Sequence, residues 1–264
     1  MKKDTNRQSL QRPPQRPPQR PPQRPPQRPP QRPPQRPPQR PPQRPFDTIN
    51  QHKFPAAKSH MARILKRLKA DYPKVRCALN YESPFQLLVA TILSAQCTDV
   101  RVNLVTRDLF SKYRTPPKLA KATLKDLEKC IHSTGFFRNK AKNIKACSVA
   151  LLEQHEGKVP RHLEDLVALP GVGRKTANVV LGTAYGLATG VVVDTHVGRL
   201  SRRLGLTREA DPVKVERDLM GLLPKKEWID FSHRIIYHGR AVCSARKPLC
   251  DDCSMQKFCP RLGM

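Results

Sequence analysis

Acidic residues are scarce. The 264-residue chain carries 21 Asp and Glu against 50 Lys and Arg, a formal net charge of +29. Soluble proteins with that balance usually meet a polyanion, nucleic acid first among them. No apolar stretch precedes the proline repeat near the N-terminus, so no secretory signal is expected. The repeat is Arg-rich and acid-poor, as mitochondrial presequences are, but Pro-Pro pairs cannot form the amphipathic helix a presequence needs. Sustained apolar/polar alternation is also missing, and Val191-Val192-Val193 is too short and isolated to make a sheet. One uncharged stretch, Thr176–Val193, approaches the length of a membrane span. Gly182, Gly186 and Gly190 break it, so it reads as a buried helix followed by a loop, with no membrane.

What is abundant is proline, 28 residues, and the excess is local. Residues 11–42 are eight copies of Gln-Arg-Pro-Pro, and Phe46 ends a ninth. Such a segment is expected to be extended and solvated, because proline fixes φ and removes donors. Residues 1–46 carry a net +11, which leaves +18 on 47–264, so the tail does not explain the basicity. Three readings of the tail stand: an inert basic spacer, a sequence-tolerant tether adding nonspecific DNA contacts, or a ligand for proline-binding modules, since Pro14-Gln15-Arg16-Pro17 satisfies a bare P-x-x-P.

The rest reads as helix after helix, and the fold class is all-α. Met61, Ile64, Leu65 and Leu68 fall on one face of a basic helix that stops before Pro73. Ser83-Pro84 opens a helix over Phe85–Gln96 that is apolar nearly all round and therefore central. Thr98-Asp99 caps the next, to about Tyr113; Thr123 with Asp126 resembles a capping box, and Gly135 ends that helix. Further helices are expected over Lys140–Gln154, His162–Leu169, Lys175–Tyr185, from Asp211-Pro212, and over Glu227–His238.

Between two of these lies Leu169-Pro170-Gly171-Val172-Gly173-Arg174-Lys175. Pro170 stops one helix, and the glycines permit positive φ and close backbone approach. Free N–H groups at the start of the next helix, with its dipole, suit a phosphate, and Arg174 and Lys175 add charge. Lys175 sits at the positive end of a helix dipole, beside Arg174, ahead of a mostly apolar run. Those surroundings favour a neutral amine, which is a nucleophile. Asp194 ends the same uncharged stretch, after three valines, where a carboxylate is costly unless paired or used. The two residues bracket a hairpin-like segment and could meet at its open end. A lysine beside a carboxylate can attack a sugar carbon of positive character while the carboxylate stabilises that charge and moves protons. Asp194 also reads as the N-cap of a helix from Thr195, and the two roles are compatible.

Four of the eight cysteines, Cys77, Cys97, Cys130 and Cys147, read as small buried thiols. The others, Cys243, Cys250, Cys253 and Cys259, crowd into seventeen residues, and without an export signal a metal site is favoured over disulfides. Zinc modules usually pair two short Cys knuckles; here the gaps are six, two and five, which favours an iron–sulfur cluster while leaving zinc open. The first gap carries Arg246, Lys247 and Pro248, a rigid basic finger suited to a phosphate.

Taken together, Ser94-Ala95-Gln96-Cys97-Thr98-Asp99, the hairpin run from Leu169 to Val180, Val193-Asp194-Thr195-His196, His238-Gly239-Arg240 and the cysteine set closely resemble the endonuclease III family of DNA base-excision glycosylases, from about Ala57 to Cys259. The resemblance implies a helix-hairpin-helix fold with a six-helix lobe over 77–188, its hairpin at about 162–186. A second lobe, 53–76 with 189–264, would carry a [4Fe–4S] cluster on the four cysteines; the tail has no counterpart in these motifs, and its composition alone gives 1–52 as disordered. The resemblance implies double-stranded DNA as partner, bound between the lobes by a monomer, in the cytoplasm near the nucleoid if the source is bacterial. By the same resemblance Lys175 is the Schiff-base lysine and Asp194 the catalytic aspartate. Gln96 fills the gap left by the flipped base, Phe136 stands where the family has an apolar wedge, often leucine, and His196 contacts DNA. The family has Ala or similar where Cys97 stands. Adenine-specific mismatch glycosylases usually lack this lysine, and many carry an extra C-terminal domain. Lys175 and the five residues after Cys259 therefore favour a bifunctional enzyme on damaged pyrimidines, which removes the base and then cuts the strand by β-elimination. The rival expectations are a non-catalytic DNA-binding protein in which Lys175 only touches phosphate, a differently specific mismatch glycosylase of the same fold, and a zinc-dependent adaptor recruited through the proline repeat.

Overall fold

The computed structural model describes residues 57–264. The Gln-Arg-Pro-Pro repeat, with the expectation of an extended tail, lies outside them. Among the described residues the chain forms eleven α-helices and two short 3-10 turns, with no strand. They are α1 Ala57–Asp71, α2 Pro84–Leu93, α3 Asp99–Lys112, α4 Pro116–Lys121, α5 Leu124–Ile131, α6 Phe137–His155, α7 Leu163–Ala168, α8 Arg174–Tyr185, α9 Thr195–Arg203, α10 Pro212–Leu222 and α11 Trp228–Ala241. None of the described helices is long and apolar enough to cross a membrane.

Helix starts follow local capping chemistry. The Ser83 side chain accepts the Gln86 N–H, and Pro84 occupies the first helical position, where a missing N–H costs nothing. Thr98 accepts from Arg101, and Asp211 from Val213 and Lys214, with Pro212 next in chain. At Thr123 the box is altered: the hydroxyl accepts the Asp126 N–H and donates to the Asp126 carboxylate at 2.7 Å, because Asp is too short to reach back to the cap's own N–H. Several elements differ from the sequence reading, among them α6, which starts at Phe137 rather than Lys140, and α11, which runs to Ala241 rather than His238. Helix α4 is additional, opened by Thr115 ahead of Pro116-Pro117. Helix α2 ends at Leu93 rather than Gln96, because Gln96 takes a left-handed backbone at φ +53°.

Packing separates two buried clusters. The first joins α2 to α8, with Leu87, Leu88 and Leu93 of α2 fully buried at its centre. Each such leucine contributes about 2 kcal/mol of burial. The second gathers Met61, Ile64 and Leu68 of α1 with Val197 and Leu200 of α9, Leu219 of α10 and Phe231 and Ile235 of α11. Helix α1 thus packs with the C-terminal helices rather than with its sequence neighbours. Thr176–Val193 is a helix to Tyr185, ended by Gly186 at φ +68°, and then a loop, as its glycines require.

Candidate active site and nucleic-acid interface

A cavity of about 130 Å³ has walls from both clusters, with Lys175 and Asn178 of α8 on one side and Ser232, His233 and Tyr237 of α11 on the other. Asp194 lines it as well, so the two ends of the uncharged stretch do open onto one space.

Lys175 arrives there through the hairpin. Helix α7 ends at Ala168; Gly171 takes φ +76°, and a Cβ on it would lie 2.7 Å from Asn143, so the position needs glycine on two counts. Buried Val172 anchors the turn, and its N–H is used inside it, on Leu169 O at 3.1 Å. Gly173 is the N-cap of α8 and offers no side-chain cap, which leaves the first N–H groups of the helix for an incoming acceptor. Arg174 is not directed at that space. Its guanidinium grips Glu216 of α10 at 2.9 and 3.1 Å, and the same carboxylate accepts from Asn178 at 3.0 Å. Lys175 is exposed, in contrast to the apolar surroundings its sequence neighbours suggest, because Ala177, Val180 and Leu181 turn into the first cluster while Lys175 and Val179, one turn apart, share the face that lines the cavity.

Asp194 is half-buried and is the N-cap of α9, its Oδ1 accepting the Val197 N–H at 2.7 Å. Oδ2 has no hydrogen-bond partner among the described residues. Helix α9 is held from its other end. Arg199 donates to Cys243 O at 2.9 Å, and Arg203 donates to Ser244 O at 2.7 Å and Ala245 O at 2.8 Å. The loop of cysteines therefore braces the helix that presents Asp194. His196, in the first turn, lies 3.3 Å from Arg199, and its imidazole is pushed below the usual range by burial, with Asp194 acting in the opposite direction. Gly239 of α11 makes room for it, since a Cβ there would stand 2.7 Å from His196 Nδ1.

Cys243, Cys250, Cys253 and Cys259 all line a second, mostly apolar cavity with Leu200, Leu204 and His238, and none forms a disulfide. Among the described residues no three His, Cys, Asp or Glu side chains converge on a point as ligands of one ion would. The thiols stand round a cavity wall instead. Arg203 donates to Cys243 Sγ at 3.4 Å, and His238 Nε2 lies 3.6 Å from Cys253 Sγ. Arg246 and Lys247 are exposed on the intervening finger, which Ser244 stiffens by donating to Lys247 O at 2.6 Å.

Gln96 and Phe136 occupy the two remaining loops. Both are exposed, Phe136 at 66%, and both have left-handed backbone, at φ +53° and +47°. Ser94, in the Gln96 loop, lines the first cavity. Two elements were not legible as functional. Glu216 lies 42 positions from Arg174, and Lys140 is a lysine that is buried although its sequence position carries no sign of it.

Residues 89–225 match the HhH-GPD superfamily of base excision DNA repair proteins. Among curated proteins, the chain is 56% identical over 208 residues to endonuclease III of Synechocystis sp., covering 79% of this chain and 95% of that one. Endonuclease III of Bacillus subtilis is 47% identical over 196 residues (74% and 89%) and that of Escherichia coli K12 42% over 203 (76% and 95%). Among solved structures, a non-covalent endonuclease III–DNA complex superposes with a TM-score of 0.74 at 45% identity, over 76% of this chain and 94% of that one. A trapped covalent endonuclease III–DNA intermediate gives 0.74 at 44%, over 76% and 95%.

Proposed function

The chain belongs to the endonuclease III family of base-excision DNA repair proteins, and from that premise we propose that it removes oxidised pyrimidines from duplex DNA and then cuts the strand 3′ to the abasic sugar. The observation that carries this reading is the opening of Lys175 and Asp194 onto one cavity walled by both clusters. A damaged nucleotide has to leave the stack before its C1′ is reachable, and a cavity beside a basic hairpin receives it.

In this reading the Lys175 amine attacks C1′. The Nζ–C1′ bond forms, the C1′–base bond breaks, and the base leaves carrying a proton. Asp194 faces the positive charge that develops on the sugar, accepts the proton the amine sheds and passes it to the departing base. Ring opening gives a Schiff base; loss of a C2′ proton breaks the C3′–O bond, and water releases the enzyme. Free N–H groups at the start of α8, at Gly173 and after, hold a phosphate beside the lesion, while Arg174 acts through Glu216 to fix the hairpin against α10. Gln96 and Phe136 enter the space the base vacates, and His196, Arg246 and Lys247 lie along the backbone.

The four cysteines would hold a [4Fe–4S] cluster. Four thiols lining one mostly apolar cavity, with Arg203 donating to the Cys243 sulfur, are the soft donor set that such a cluster takes. When bound, that group supplies structural anchorage rather than an open site for substrate. Among the described residues we place the lobe boundaries at 77–188 and at 57–76 with 189–264, and, if the source is bacterial, the site of action in the cytoplasm near the nucleoid.

The test is a duplex with one oxidised pyrimidine. Base release with a nick bearing a β-elimination end supports the proposal. Tight binding with neither product returns the chain to a non-catalytic DNA-binding role.

A further inference from the structure

Lys140, in the first turn of α6, is 5% exposed, and nothing above uses it. A buried ammonium is costly unless hydrogen-bonded, and this one is. Its Nζ donates to Leu93 O at 2.8 Å and to Thr134 O at 2.6 Å. Leu93 is the last residue of α2, so its carbonyl is one that a helix end leaves unpaired and that a cation suits. Gln96 follows three residues later. Thr134 ends the 3-10 turn before Gly135-Phe136, and the Lys140 backbone N–H bonds Phe136 O at 3.1 Å. One residue thus grips both the loop of Gln96 and the loop of Phe136. No other hydrogen bond joins those loops among the described residues.

Those loops carry strain. Gln96 and Phe136 are both non-glycine residues in the left-handed region, costing about 1 kcal/mol or more each. Such backbone persists only where the surroundings over-determine it. We propose that Lys140 is a positioning residue that sets Gln96 and Phe136 at a fixed separation, so that both enter the duplex together at the vacated base. The inference rests on the functional reading above for the roles of Gln96 and Phe136. It assigns Lys140 no contact with DNA. Burial pushes the Lys140 amine below the usual lysine range, with Cys97 acting the other way, and two carbonyl acceptors are what such an amine requires.

A double-mutant cycle on the full-length protein tests this. The readout is the ratio of affinities for a duplex with a stable abasic analogue and for the same duplex undamaged. Lys140→Met should lower that ratio by about tenfold or more in the otherwise unaltered protein, and by less than about twofold in a Gln96→Ala/Phe136→Ala background, where nothing remains to be positioned. Lys140→Gln, which keeps a polar amide but loses the charge and the reach of the ammonium, carries the same cycle if Lys140→Met does not fold. An equal loss in both backgrounds, or no loss in either, overturns the proposal and leaves Lys140 an element of stability alone. A wild-type protein without preference for the abasic duplex would instead contradict the functional reading itself.

Discussion

Arg240 of α11 and Asp99 of α3 form an ion pair at 2.6 Å that joins the two buried clusters, and both side chains line the cavity that holds Lys175 and Asp194. The pair is half-exposed, so its worth to stability is small, under about 1 kcal/mol. Its consequence is geometric. Arg240→Met should leave melting nearly unchanged and reduce kcat/KM for excision by about tenfold or more, because misplacing reacting groups by an ångström is expensive in rate. Melting curves beside single-turnover excision check this, and an unchanged rate would deny the pair any part in shaping the cavity.

The Arg174–Glu216–Asn178 network predicts the opposite balance. Glu216 is 6% exposed, and Gly190 packs so closely that a Cβ would lie 2.0 Å from Glu216 Oε1. Gly190→Ala should destabilise by about 2 kcal/mol, since neither the carboxylate nor the backbone can yield without breaking the network. Denaturant unfolding measures it, and a change below the error of the midpoint would show that the loop relaxes freely.

A pH prediction follows from His233, whose imidazole burial holds below the ordinary 6.5, with Asp230 raising it and Arg234 lowering it further. The unfolded chain takes up its proton at higher pH than the native one. Stability contributed by the neutral ring is therefore complete above about pH 6.5 and is lost as pH falls toward the native value, with a slope of at most about 1.4 kcal/mol per unit. His233→Gln should remove that part of the slope between pH 7 and 5, and an identical profile in the variant would contradict it.

Much of this architecture is legible from local chemistry. Ser83-Pro84, Thr98-Asp99 and Asp211-Pro212 announce helix starts because their capping partners lie within three residues. The hairpin glycines and the Lys175–Asp194 bracket are legible for a similar reason: both are set by one continuous segment. Illegible features depend on long-range contacts. Gln96 has no residue-type preference for positive φ, so the early end of α2 has no signal at its position. Lys140 and Glu216 look like solvated helix charges until tertiary packing brings Leu93, Thr134 and Arg174 against them. Exposure of Lys175 is likewise decided by which face of α8 meets α2 and α11, which the neighbouring valines do not reveal.

Residues 1–46 add twelve Lys and Arg with one acidic residue. Deleting them should leave excision at the lesion intact while weakening nonspecific duplex binding and flattening its dependence on salt, because fewer counterions are released. Equal slopes of log K against log salt for the two proteins would return the segment to a spacer.

Asp194 separates capping from chemistry. Asn caps a helix nearly as well as Asp, so Asp194→Asn should melt within about 1 kcal/mol of wild type. Loss of its negative charge beside the developing sugar cation should slow excision by about 10²–10³-fold, and should impair reaction at a preformed abasic site less. Normal excision in a normally folded variant would leave the N-cap on Val197 as the whole of its role.

The central claim is that the Lys175 amine itself bonds to the sugar. Borohydride reduction in the presence of an abasic duplex, followed by trypsin and mass spectrometry, examines it directly. A reduced adduct blocks cleavage after Lys175, so the sugar should appear on the single peptide running from Lys175 to Arg199. Lys175→Gln should fold, bind DNA and give no adduct. An adduct on any other lysine, or one that persists in Lys175→Gln, would contradict the account.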